Sequence, residues 1–421
     1  MNKSDLPVTD ACATSQSALL PVDEVRRRIS RLVGCIADTE RVAVRAALGR
    51  VLAEPVISPI DVPPASNSAM DGYAVLSADL PATGSRTLRV AGKSLAGAPF
   101  TGEVMPGQAV RITTGALMPP GTDTVIMQEQ APREGEQIRI QSGHSRGEYV
   151  RRAGEDIGRG QTLLTPGKRL MPAELGLLAS VGLSEVAVTR RLRAAFFSTG
   201  DELRSPGEAL GPGQIYDSNR DVLYGMLQRM EVELGDLGIV ADDPNAIRDT
   251  LVRAASQADV IITSGGVSVG EADYVKQILD ELGKIDLWRI AMKPGKPLAV
   301  GTLGNAIFFG LPGNPVSTMV TFYQFVKPAM LQMMGQLEPP PLQLRARCAS
   351  RLTKVPGRLE YQRGILTRDA HGVLSVATTG LQESHILTSM SRSNCFIILP
   401  AECAGVEPGE DIEVQPFAGL I

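Results

Sequence analysis

The chain has 421 residues, which is enough for two to four domains and excludes a small disulfide-stapled module. Hydrophobic residues make up 43% and charged residues 21%, so the composition is not that of a disordered protein. The 42 lysines and arginines against 46 aspartates and glutamates give a net charge of -4, which argues against a surface that wraps nucleic acid.

The cysteines and apolar segments favour a reducing, aqueous compartment. Residues 1–20 lack the sustained apolar segment of a secretory signal, and no uninterrupted apolar stretch is long enough to span a bilayer. The cysteines lie far apart without a C-x-x-C pair, so neither a zinc site nor a disulfide framework is indicated. They are Cys12, Cys35, Cys348, Cys395 and Cys403. We therefore expect a cytoplasmic protein that does not enter a membrane.

Two helical segments bracket a β-rich region in the first half of the chain. Residues 25–33 repeat apolar side chains at helical spacing, and residues 172–181 have Pro at their start and Gly182 after their end. From about residue 55 to 150, short Val/Ile/Leu runs alternate with Gly and Pro, which is typical of strands and turns. The pattern predicts a β-rich insertion in a helical domain.

From residue 193 onward, predicted strands and helices alternate, which indicates a mostly parallel sheet with helices on both faces. Ser218, with Asp221 three residues later, is the expected N-cap of the first of these helices. After residue 342 only short strands are predicted, so we expect a small β-barrel-like domain there. The predicted strands are 193–197, 259–263, 285–290, 297–302, 306–309, 373–377, 395–399 and 411–414, and the predicted helices are 218–230, 245–256, 271–282 and one from Pro315.

The sequence thus predicts a multidomain chain of α/β plus β class. Its expected parts are a loose N-terminal tail (1–19), a split helical domain (20–55 and 151–190), a β-rich insertion (56–150), an α/β domain (191–336) and a C-terminal β domain (342–421).

The loop after strand 259–263 has the composition of an anion cradle. It reads S-G-G-V-S-V-G at 264–270, and its glycines let a ligand approach the backbone while serines and helix amides offer donors. Ligands bind at the carboxyl ends of strands in such sheets, so this loop is a candidate site. The candidate binding residues are Ser264, Gly265, Gly266, Ser268 and Gly270.

Two other interpretations of this loop stay open. Residues 266–270 also fit G-x-S-x-G, the nucleophile elbow of α/β-hydrolases, which would make Ser268 a nucleophile. A hydrolase triad needs a later histidine, however, and His371 and His385 both fall in the C-terminal β domain. A glycine-rich turn without a ligand is the remaining alternative.

Two further loops place charged residues after predicted strands. In S-T-G-D-E-L (198–203), Asp201 and Glu202 are suited to a hydrated Mg²⁺, which prefers oxygen ligands. In K-P-G-K-P (293–297), the prolines hold Lys293 and Lys296 in a rigid loop that suits an oxyanion or phosphate. Each loop alone is compatible with a solvated surface turn.

A fourth loop reads L-P-G-N-P-V (311–316), with Asn314 as the expected N-cap and Pro315 at the first helical position. All four loops are expected at one edge of one sheet. Their combination predicts a phosphorylated ligand with metal assistance more strongly than any one of them does.

Together these segments resemble the molybdopterin molybdenumtransferase family, known as MoeA in bacteria and as the E domain of gephyrin in animals. The resemblance runs from about Leu20 to the C-terminus, with the matching segments in order. They are N-S-A-M-D-G-Y-A (67–74), T-G-A (114–116), A-G-E-D-I (153–157), S-T-G-D-E-L (198–203), D-S-N (217–219), S-G-G-V-S-V-G-E-A-D-Y (264–274), K-P-G-K-P (293–297), L-P-G-N-P-V (311–316), Q-R-G (362–364) and S-H-I (384–386).

The resemblance implies an elongated homodimer that inserts molybdenum from molybdate into adenylylated molybdopterin and releases AMP with Mg²⁺ assistance. The cleft would combine the α/β and C-terminal domains of one protomer with the β-rich insertion of the other. A molybdopterin adenylyltransferase and molybdoenzymes or cofactor-maturation proteins are the implied partners.

The acting residues implied by position fall into three sets. The catalytic set is Asp71, Thr114, Glu202, Asp243, Asp273, Lys293, Arg363 and Ser384. The metal set is Asp156, Glu202, Asp243 and Asp273, and the substrate-binding set adds Lys296, Pro312, Gly313 and Asn314 to the glycine-rich loop. Either Asp242 or Asp243 is expected to face the cleft. Arg289 stands where family members often carry Lys, so the charge is kept but its geometry differs. A non-catalytic molybdopterin-binding scaffold is the alternative within this family.

Overall fold

The computed structural model describes residues 19–265, 273–337, 340–417 and 419, without the side chains of 273–277. The chain divides into two compact units, one of Arg41–Val188 and one that combines Met1–Glu40 with Thr189–Ile421. Among the helices described, none is long and apolar enough to cross a membrane.

The unit Arg41–Val188 is dominated by strands. They are β1 (Thr39–Ala43), β2 (Val56–Ile57), β3 (Asn67–Ser68), β4 (Gly72–Val75), β5 (Ser85–Ser94), β6 (Gln108–Ile112), β7 (Thr124–Met127), β8 (Arg133–Glu134), β9 (Gln137–Gln141), β10 (Val150–Arg151), β11 (Thr162–Leu164) and β12 (Glu185–Thr189). Six of them form one sheet in the order β7-β4-β6-β5-β9-β8, and the other six form three two-stranded ribbons. Tyr73, Leu88 and Ile126 lie in the core of the large sheet. The predicted β-rich region is confirmed.

Both predicted helical segments of the first half are present, as α1 (Val22–Leu32) and α2 (Pro172–Ser180). In α1, Val25 and Ile29 are buried, as their helical spacing predicts. The contacts group α1 with the unit that contains residues 189–421, and α2 with Arg41–Val188. The split helical domain of residues 20–55 and 151–190 stays a prediction.

The second unit contains a six-stranded sheet in the order β16-β13-β17-β21-β20-β18. The strands of this part are β13 (Arg193–Thr199), β14 (Leu203–Arg204), β15 (Ile215–Tyr216), β16 (Glu233–Val240), β17 (Val260–Ser264), β18 (Gly283–Arg289), β19 (Met292–Lys293), β20 (Pro297–Leu303) and β21 (Ala306–Leu311). The pairs of β13 with β16, of β13 with β17 and of β17 with β21 are parallel. Only β20 runs opposite to the other five strands, so the predicted mostly parallel sheet is confirmed.

The edge strand β16 is not predicted by the sequence pattern. Gly235, Asp236 and Gly238 interrupt its apolar residues, and Gly and Asp are poor strand formers. The segment is nevertheless extended because it pairs with β13 from Glu233 to Val240.

The helices beside this sheet are α3 (Ser218–Arg229), α4 (Pro244–Gln257), α5 (Asp273–Leu282), α6 (Pro315–Thr321) and α7 (Lys327–Met333). A π-helical segment, Phe322–Val326, joins the last two into the long helix that the sequence predicts. The predicted cap of α3 is wrong: Asp217, not Ser218, is the N-cap, and its Oδ1 accepts a hydrogen bond from Arg220 N at 3.1 Å. Ser218 is already the first helical residue.

The C-terminal part is a closed barrel, as predicted. Its elements are β22 (Leu344–Cys348), β23 (Leu352–Thr353), β24 (Leu359–Arg368), β25 (Leu374–Thr378), the short helix α8 (Leu387–Arg392), β26 (Cys395–Leu399), β27 (Gly405–Val406) and β28 (Asp411–Pro416). Five strands close in the order β24-β25-β22-β28-β26, because β26 pairs with β24 again. Strand β19 adds to the barrel by pairing in parallel with β24, which joins it to the α/β sheet.

Candidate functional site

The four loops singled out from the sequence, as far as the structure describes them, lie at one edge of the α/β sheet. Strands β13, β17 and β21 are parallel, so their carboxyl ends share an edge. Because β20 runs the opposite way, the segment that precedes it, residues 290–296, lies at that same edge. We call this edge, with residues 198–202, 264–265, 290–296 and 312–316, the carboxyl edge.

Two glycine turns touch each other at the carboxyl edge. A Cβ atom on Gly265 would lie 2.6 Å from the carbonyl oxygen of Thr199, and the residue has φ +92°, so only glycine fits there. A Cβ atom on Gly313 would lie 4.0 Å from the Cα atom of Gly265. The backbones of the turns after β17 and β21 therefore approach each other with no side chain between these two residues.

Asn219 connects these two turns to the start of α3. Its Nδ2 atom donates to Ser264 Oγ at 2.7 Å and to the carbonyl oxygen of Gly313 at 2.6 Å. In the sequence this residue stands out only as part of D-S-N, with no role indicated. No local sequence pattern indicates its role, because 45 and 94 residues separate Asn219 from its two hydrogen-bond partners.

Several buried polar atoms near the carboxyl edge have no hydrogen-bond partner within the described part of the chain. Ser198, Thr199 and Thr263 are 1%, 7% and 4% exposed. Unpaired atoms of these residues and of α3 are Ser198 Oγ, Thr199 Oγ1, Thr263 Oγ1, Asp217 Oδ2 and Asn219 Oδ1. Buried polar groups are almost always paired, so these atoms fit a site completed by a polar ligand or ordered water.

The loop of residues 290–296 presents Lys293 between the sheet and the barrel. Lys293 Nζ lies 3.3 Å from Oε1 of Glu360, whose side chain is 6% exposed. A Cβ atom on Gly295 would lie 2.5 Å from Thr321 Oγ1 of α6, so the loop packs closely on that helix. Lys293 is thereby held by its ion pair with Glu360 and by the close packing of its loop at Gly295. Lys296 is half-buried in the same loop.

Arg363 of β24 is fully buried, which the sequence does not predict for an anion-binding residue. Its Nε donates to Ser389 Oγ at 3.0 Å, its Nη2 to the carbonyl oxygen of Glu383 at 3.3 Å, and its Nη1 to that of Tyr361 at 3.5 Å. Burial lowers the pKa of Arg363 to about 10, although the charges of Glu360 and Glu383 raise it. The guanidinium stays charged at neutral pH and retains donors beyond these three bonds.

Ser384 follows Glu383, whose carbonyl oxygen accepts from this arginine, and also touches α6. Its carbonyl oxygen accepts from Val316 N at 3.1 Å. Asn314 occupies the N-cap position of α6, but its side chain makes no capping hydrogen bond, so the capping role expected for it is not observed. Thr318 Oγ1 instead donates to the carbonyl oxygens of Pro312 and Asn314, at 2.6 and 3.1 Å, and holds the turn.

The acidic residues of the predicted metal set have separate surroundings. The carboxylate of Glu202 folds over Gly200, whose Cβ atom would lie 2.6 Å from Glu202 Oε2. Asp243 is the N-cap of α4, since its Oδ1 accepts from Asn245 N and Ala246 N at 3.0 and 2.9 Å. Of the two adjacent aspartates, Asp243 therefore uses its side chain on its own helix.

No three His, Cys, Asp or Glu side chains within the described residues are grouped so as to hold a metal ion. Asp156 is exposed in the unit Arg41–Val188, and the side chain of Asp273, at the start of α5, lies outside the described residues. Gly266, Ser268 and Gly270 also lie outside them. The described carboxylates alone do not fit a magnesium site, so the metal set stays a prediction.

The unit Arg41–Val188 contains its own polar pair on exposed positions. Asp71 Oδ1 accepts from the backbone N of Thr114 at 2.7 Å and from its hydroxyl at 2.9 Å. These two bonds lower the pKa of Asp71, the backbone bond having the larger effect and the charge of Arg111 a smaller one. These bonds bring the N-S-A-M-D-G-Y-A and T-G-A segments together within this unit.

Three family models match the chain in succession. They are "MoeA N-terminal region (domain I and II)" over residues 20–182, "Probable molybdopterin binding domain" over 195–332 and "MoeA C-terminal region (domain IV)" over 345–417. The second match spans the α/β sheet and its carboxyl edge, and the third spans the barrel.

Individual proteins resemble the chain over nearly its whole length. A molybdopterin molybdenumtransferase of Haemophilus influenzae is 44% identical over 96% of this chain and 100% of its own length. One of Nostoc sp. is 39% identical over 90% of this chain and 88% of its own. The crystal structure of a molybdopterin biosynthesis MoeA protein from Pyrococcus horikoshii superposes with a TM-score of 0.79, at 31% identity, over 96% of this chain and 100% of that one.

Proposed function

This chain belongs to the molybdopterin molybdenumtransferase family, and from that premise we propose that it inserts molybdenum from molybdate into molybdopterin during molybdenum cofactor biosynthesis. The observation that carries the proposal is the carboxyl edge. This edge lies in the segment matched by the molybdopterin-binding model. It contains two glycine turns in contact, the asparagine that joins them, and buried hydroxyls without a partner among the described residues.

The form of substrate we propose is adenylylated molybdopterin, from which AMP is released. The backbone of the turn after β21 suits the phosphates, because Gly313 lets an anion approach the main chain without a side chain in the way. Lys293, fixed against Glu360, supplies positive charge beside them. Charge that develops on the phosphates as the adenylate bond breaks is then stabilised by groups already in position, and no protein nucleophile is needed.

For molybdate we propose a neighbouring oxyanion pocket with Arg363, Ser384 and Lys296. Arg363 keeps its charge in a buried site, where its attraction for an oxyanion is stronger than in water. Since its guanidinium is covered by residues 382–389, binding of molybdate requires that segment to shift.

We further propose that the activity depends on magnesium, with Asp273 and Glu202 as its carboxylate ligands. The proposed assembly is a cytoplasmic homodimer in which Asp71, Thr114 and Asp156 of one protomer complete the site of the other. The exposure of all three residues on their own unit supports such a role. A molybdopterin adenylyltransferase upstream, and molybdoenzymes or cofactor-maturation proteins downstream, are the proposed partners.

AMP release from adenylylated molybdopterin tests the proposal directly. The assay compares the purified chain with and without micromolar molybdate and Mg²⁺, and adds Asp273→Ala with Asp280→Ala as a matched control on the exposed side of the same helix. We expect molybdate-dependent release that Asp273→Ala abolishes and Asp280→Ala leaves intact.

Two outcomes would contradict it. Tight binding of the pterin without AMP release favours the scaffold alternative, and the catalytic roles would have to be withdrawn. Reaction with a fluorophosphonate probe that Ser268→Ala abolishes favours a serine hydrolase; the later histidines, His371 and His385, are exposed in the C-terminal part.

A further inference from the structure

One side-chain amide at the carboxyl edge connects three separate segments of the chain. Asn219 is the second residue of α3, Ser264 ends β17, and Gly313 lies in the turn after β21. The Nδ2 atom of Asn219 reaches Ser264 Oγ at 2.7 Å and the carbonyl oxygen of Gly313 at 2.6 Å. Its two N–H groups are therefore both used between the turns.

The chemistry of the partners fixes the orientation of this amide. A carbonyl oxygen only accepts hydrogen bonds, so the NH₂ group and not the oxygen of Asn219 must face Gly313. The oxygen, Oδ1, consequently points away from Gly313 and is buried without a partner among the described residues. Asparagine is the smallest side chain that offers two such donors together with an acceptor.

Other polar atoms near this bridge also lack hydrogen-bond partners among the described residues. Strands β13 and β17 are in register, with Ser198 opposite Ser264, and Ser198 Oγ and Thr263 Oγ1 are buried and unpaired. Thr199 Oγ1, also unpaired, lies 3.4 Å from the position a Cβ atom on Gly265 would take. These side chains are more than nine-tenths buried, so the unpaired atoms are not explained by exposure to solvent.

We propose that Asn219 is a positioning residue for the pterin substrate. It holds the Gly265 and Gly313 turns at the separation in which their backbone groups bind molybdopterin, and its Oδ1, which has no partner among the described residues, adds an acceptor for the N–H donors of a pterin ring. The inference rests on the proposed function, and deepens it by assigning the pterin end of the substrate to the α3 side of the carboxyl edge.

The decisive variant is Asn219→Asp, which keeps size and shape but removes both donors and turns an oxygen toward the carbonyl of Gly313. The matched control is Asn394→Asp in the C-terminal part. There, Nδ2 donates to Leu366 O at 2.9 Å and Oδ1 accepts from Leu366 N at 2.7 Å, so the same change removes an amide donor from a residue of the barrel.

Three measurements are made on wild type and both variants: the Kd for molybdopterin, the KM and kcat for AMP release, and amide hydrogen exchange at 264–265 and 311–316. For Asn219→Asp we expect Kd and KM to rise roughly tenfold or more, because the bond to the Gly313 carbonyl is lost and two oxygens then face each other, with faster exchange confined to the two turns. Asn394→Asp should leave Kd and KM within about twofold.

A double variant separates positioning from general destabilisation. Ser264→Ala should cost less in an Asn219→Ala background than in wild type, because Asn219→Ala removes every side-chain atom that can bond to the Ser264 hydroxyl.

The inference is overturned if Asn219→Asp binds molybdopterin like wild type, or if Asn394→Asp with an equal loss of stability weakens binding as much. Failure of the wild-type chain to bind molybdopterin at all would instead overturn the proposed function, and this inference with it. Binding by wild type together with unchanged binding by Asn219→Asp leaves the proposed function standing and removes only the role of Asn219.

Discussion

Gln382 holds the backbone of Arg363 from both sides. Its Oε1 accepts from Arg363 N at 2.7 Å, and its Nε2 donates to the carbonyl oxygen of Arg363 at 3.1 Å. The segment that covers the buried guanidinium is thereby attached to β24 at the arginine itself. Any anion that reaches Arg363 must therefore displace or adjust this segment.

Gln382→Glu should impair the use of molybdate. The variant keeps the acceptor for Arg363 N but places a second oxygen against the carbonyl of Arg363, which loosens the cover and shifts the arginine. We expect the KM for molybdate to change several-fold, with the KM for the pterin substrate little affected. Gln343→Glu, the same change at an exposed position of the C-terminal part, is the control. An unchanged molybdate dependence in Gln382→Glu would show that the cover has no part in binding.

Glu360→Gln should release Lys293 without removing its charge. The carboxylate lies 3.3 Å from the ammonium group, and its loss leaves the lysine free to sample solvent. Because the lysine is half-exposed, we expect the free energy of unfolding to fall by only about 1 kcal/mol. The KM for adenylylated molybdopterin should nevertheless rise.

The control for this prediction is Glu407→Gln. It breaks an exposed ion pair with Arg351, 3.0 Å long, in the same unit. Equal effects of both variants on KM would refute a specific role for the pair of Lys293 and Glu360.

Gly295→Ala should move the loop that carries both lysines. The new methyl group would lie 2.5 Å from Thr321 Oγ1 and the residue has φ +98°, so both contact and backbone conformation oppose it. We expect a loss of about 1–3 kcal/mol in unfolding free energy, and lower activity. Denaturant unfolding and AMP release measure the two effects.

Gly304→Ala separates the two causes. Gly304 also has positive φ, +58°, but a Cβ atom there meets nothing within 4 Å. The Gly304→Ala variant should lower the free energy of unfolding and leave AMP release unchanged. Thr321→Ala should partly restore Gly295→Ala; if it does not, the contact is not the cause.

Asp259 should make stability depend on pH in the acid range. Burial raises the pKa of its carboxyl, but hydrogen bonds from Arg190 and Arg193 outweigh this and lower it to about 2. Since the folded-state pKa lies below the unfolded value of 3.8, the stabilisation is complete above about pH 4 and is lost as pH falls toward 2. It amounts to at most about 2 kcal/mol.

Asp259→Asn should therefore be less stable than wild type at pH 7, and the difference should shrink toward pH 2. Urea unfolding at pH 7, 5 and 3 measures it, with the exposed Asp286→Asn as the control. A difference that stays constant with pH would contradict the assignment.

Thr114→Val should raise the pKa of Asp71 toward its ordinary value. The carboxylate of Asp71 accepts one hydrogen bond from the Thr114 hydroxyl and one from its backbone N–H. The variant keeps the backbone bond, so we expect only a partial rise in the pKa of Asp71. Carbon-13 NMR titration of the Asp71 carboxyl measures it. Thr113→Val is the control, because that hydroxyl accepts from Ala96 N instead. An unchanged Asp71 titration in Thr114→Val would mean that the hydroxyl bond does not form in solution.

The sequence predicts the strands with continuous apolar residues and the loops that follow them. Strand β17 and the start of α6 are predicted because buried parallel strands and Pro at a first helical turn leave clear local patterns. Strand β16 is missed, since its extended form comes from pairing with β13 and not from its own residues.

The residues of the candidate site also divide into those that local sequence predicts and those that it does not. Lys293 and the Gly265 turn are found from charge and glycine content alone, whereas the bridge of Asn219 and the burial of Arg363 depend on partners far away in sequence. The cap of α3 is misassigned by one residue because Asp217 and Ser218 are both good caps. Local preference does not decide between them.

The reversal of β20 has a practical consequence for engineering. Its hairpin with β21 turns at residues 304–305, at the end of the sheet opposite the carboxyl edge, and both turn residues are exposed. A fluorescent reporter or affinity tag inserted there would lie a full strand length from the glycine turns. The turn is thus a suitable position for a label, and its use leaves both ends of the chain unaltered.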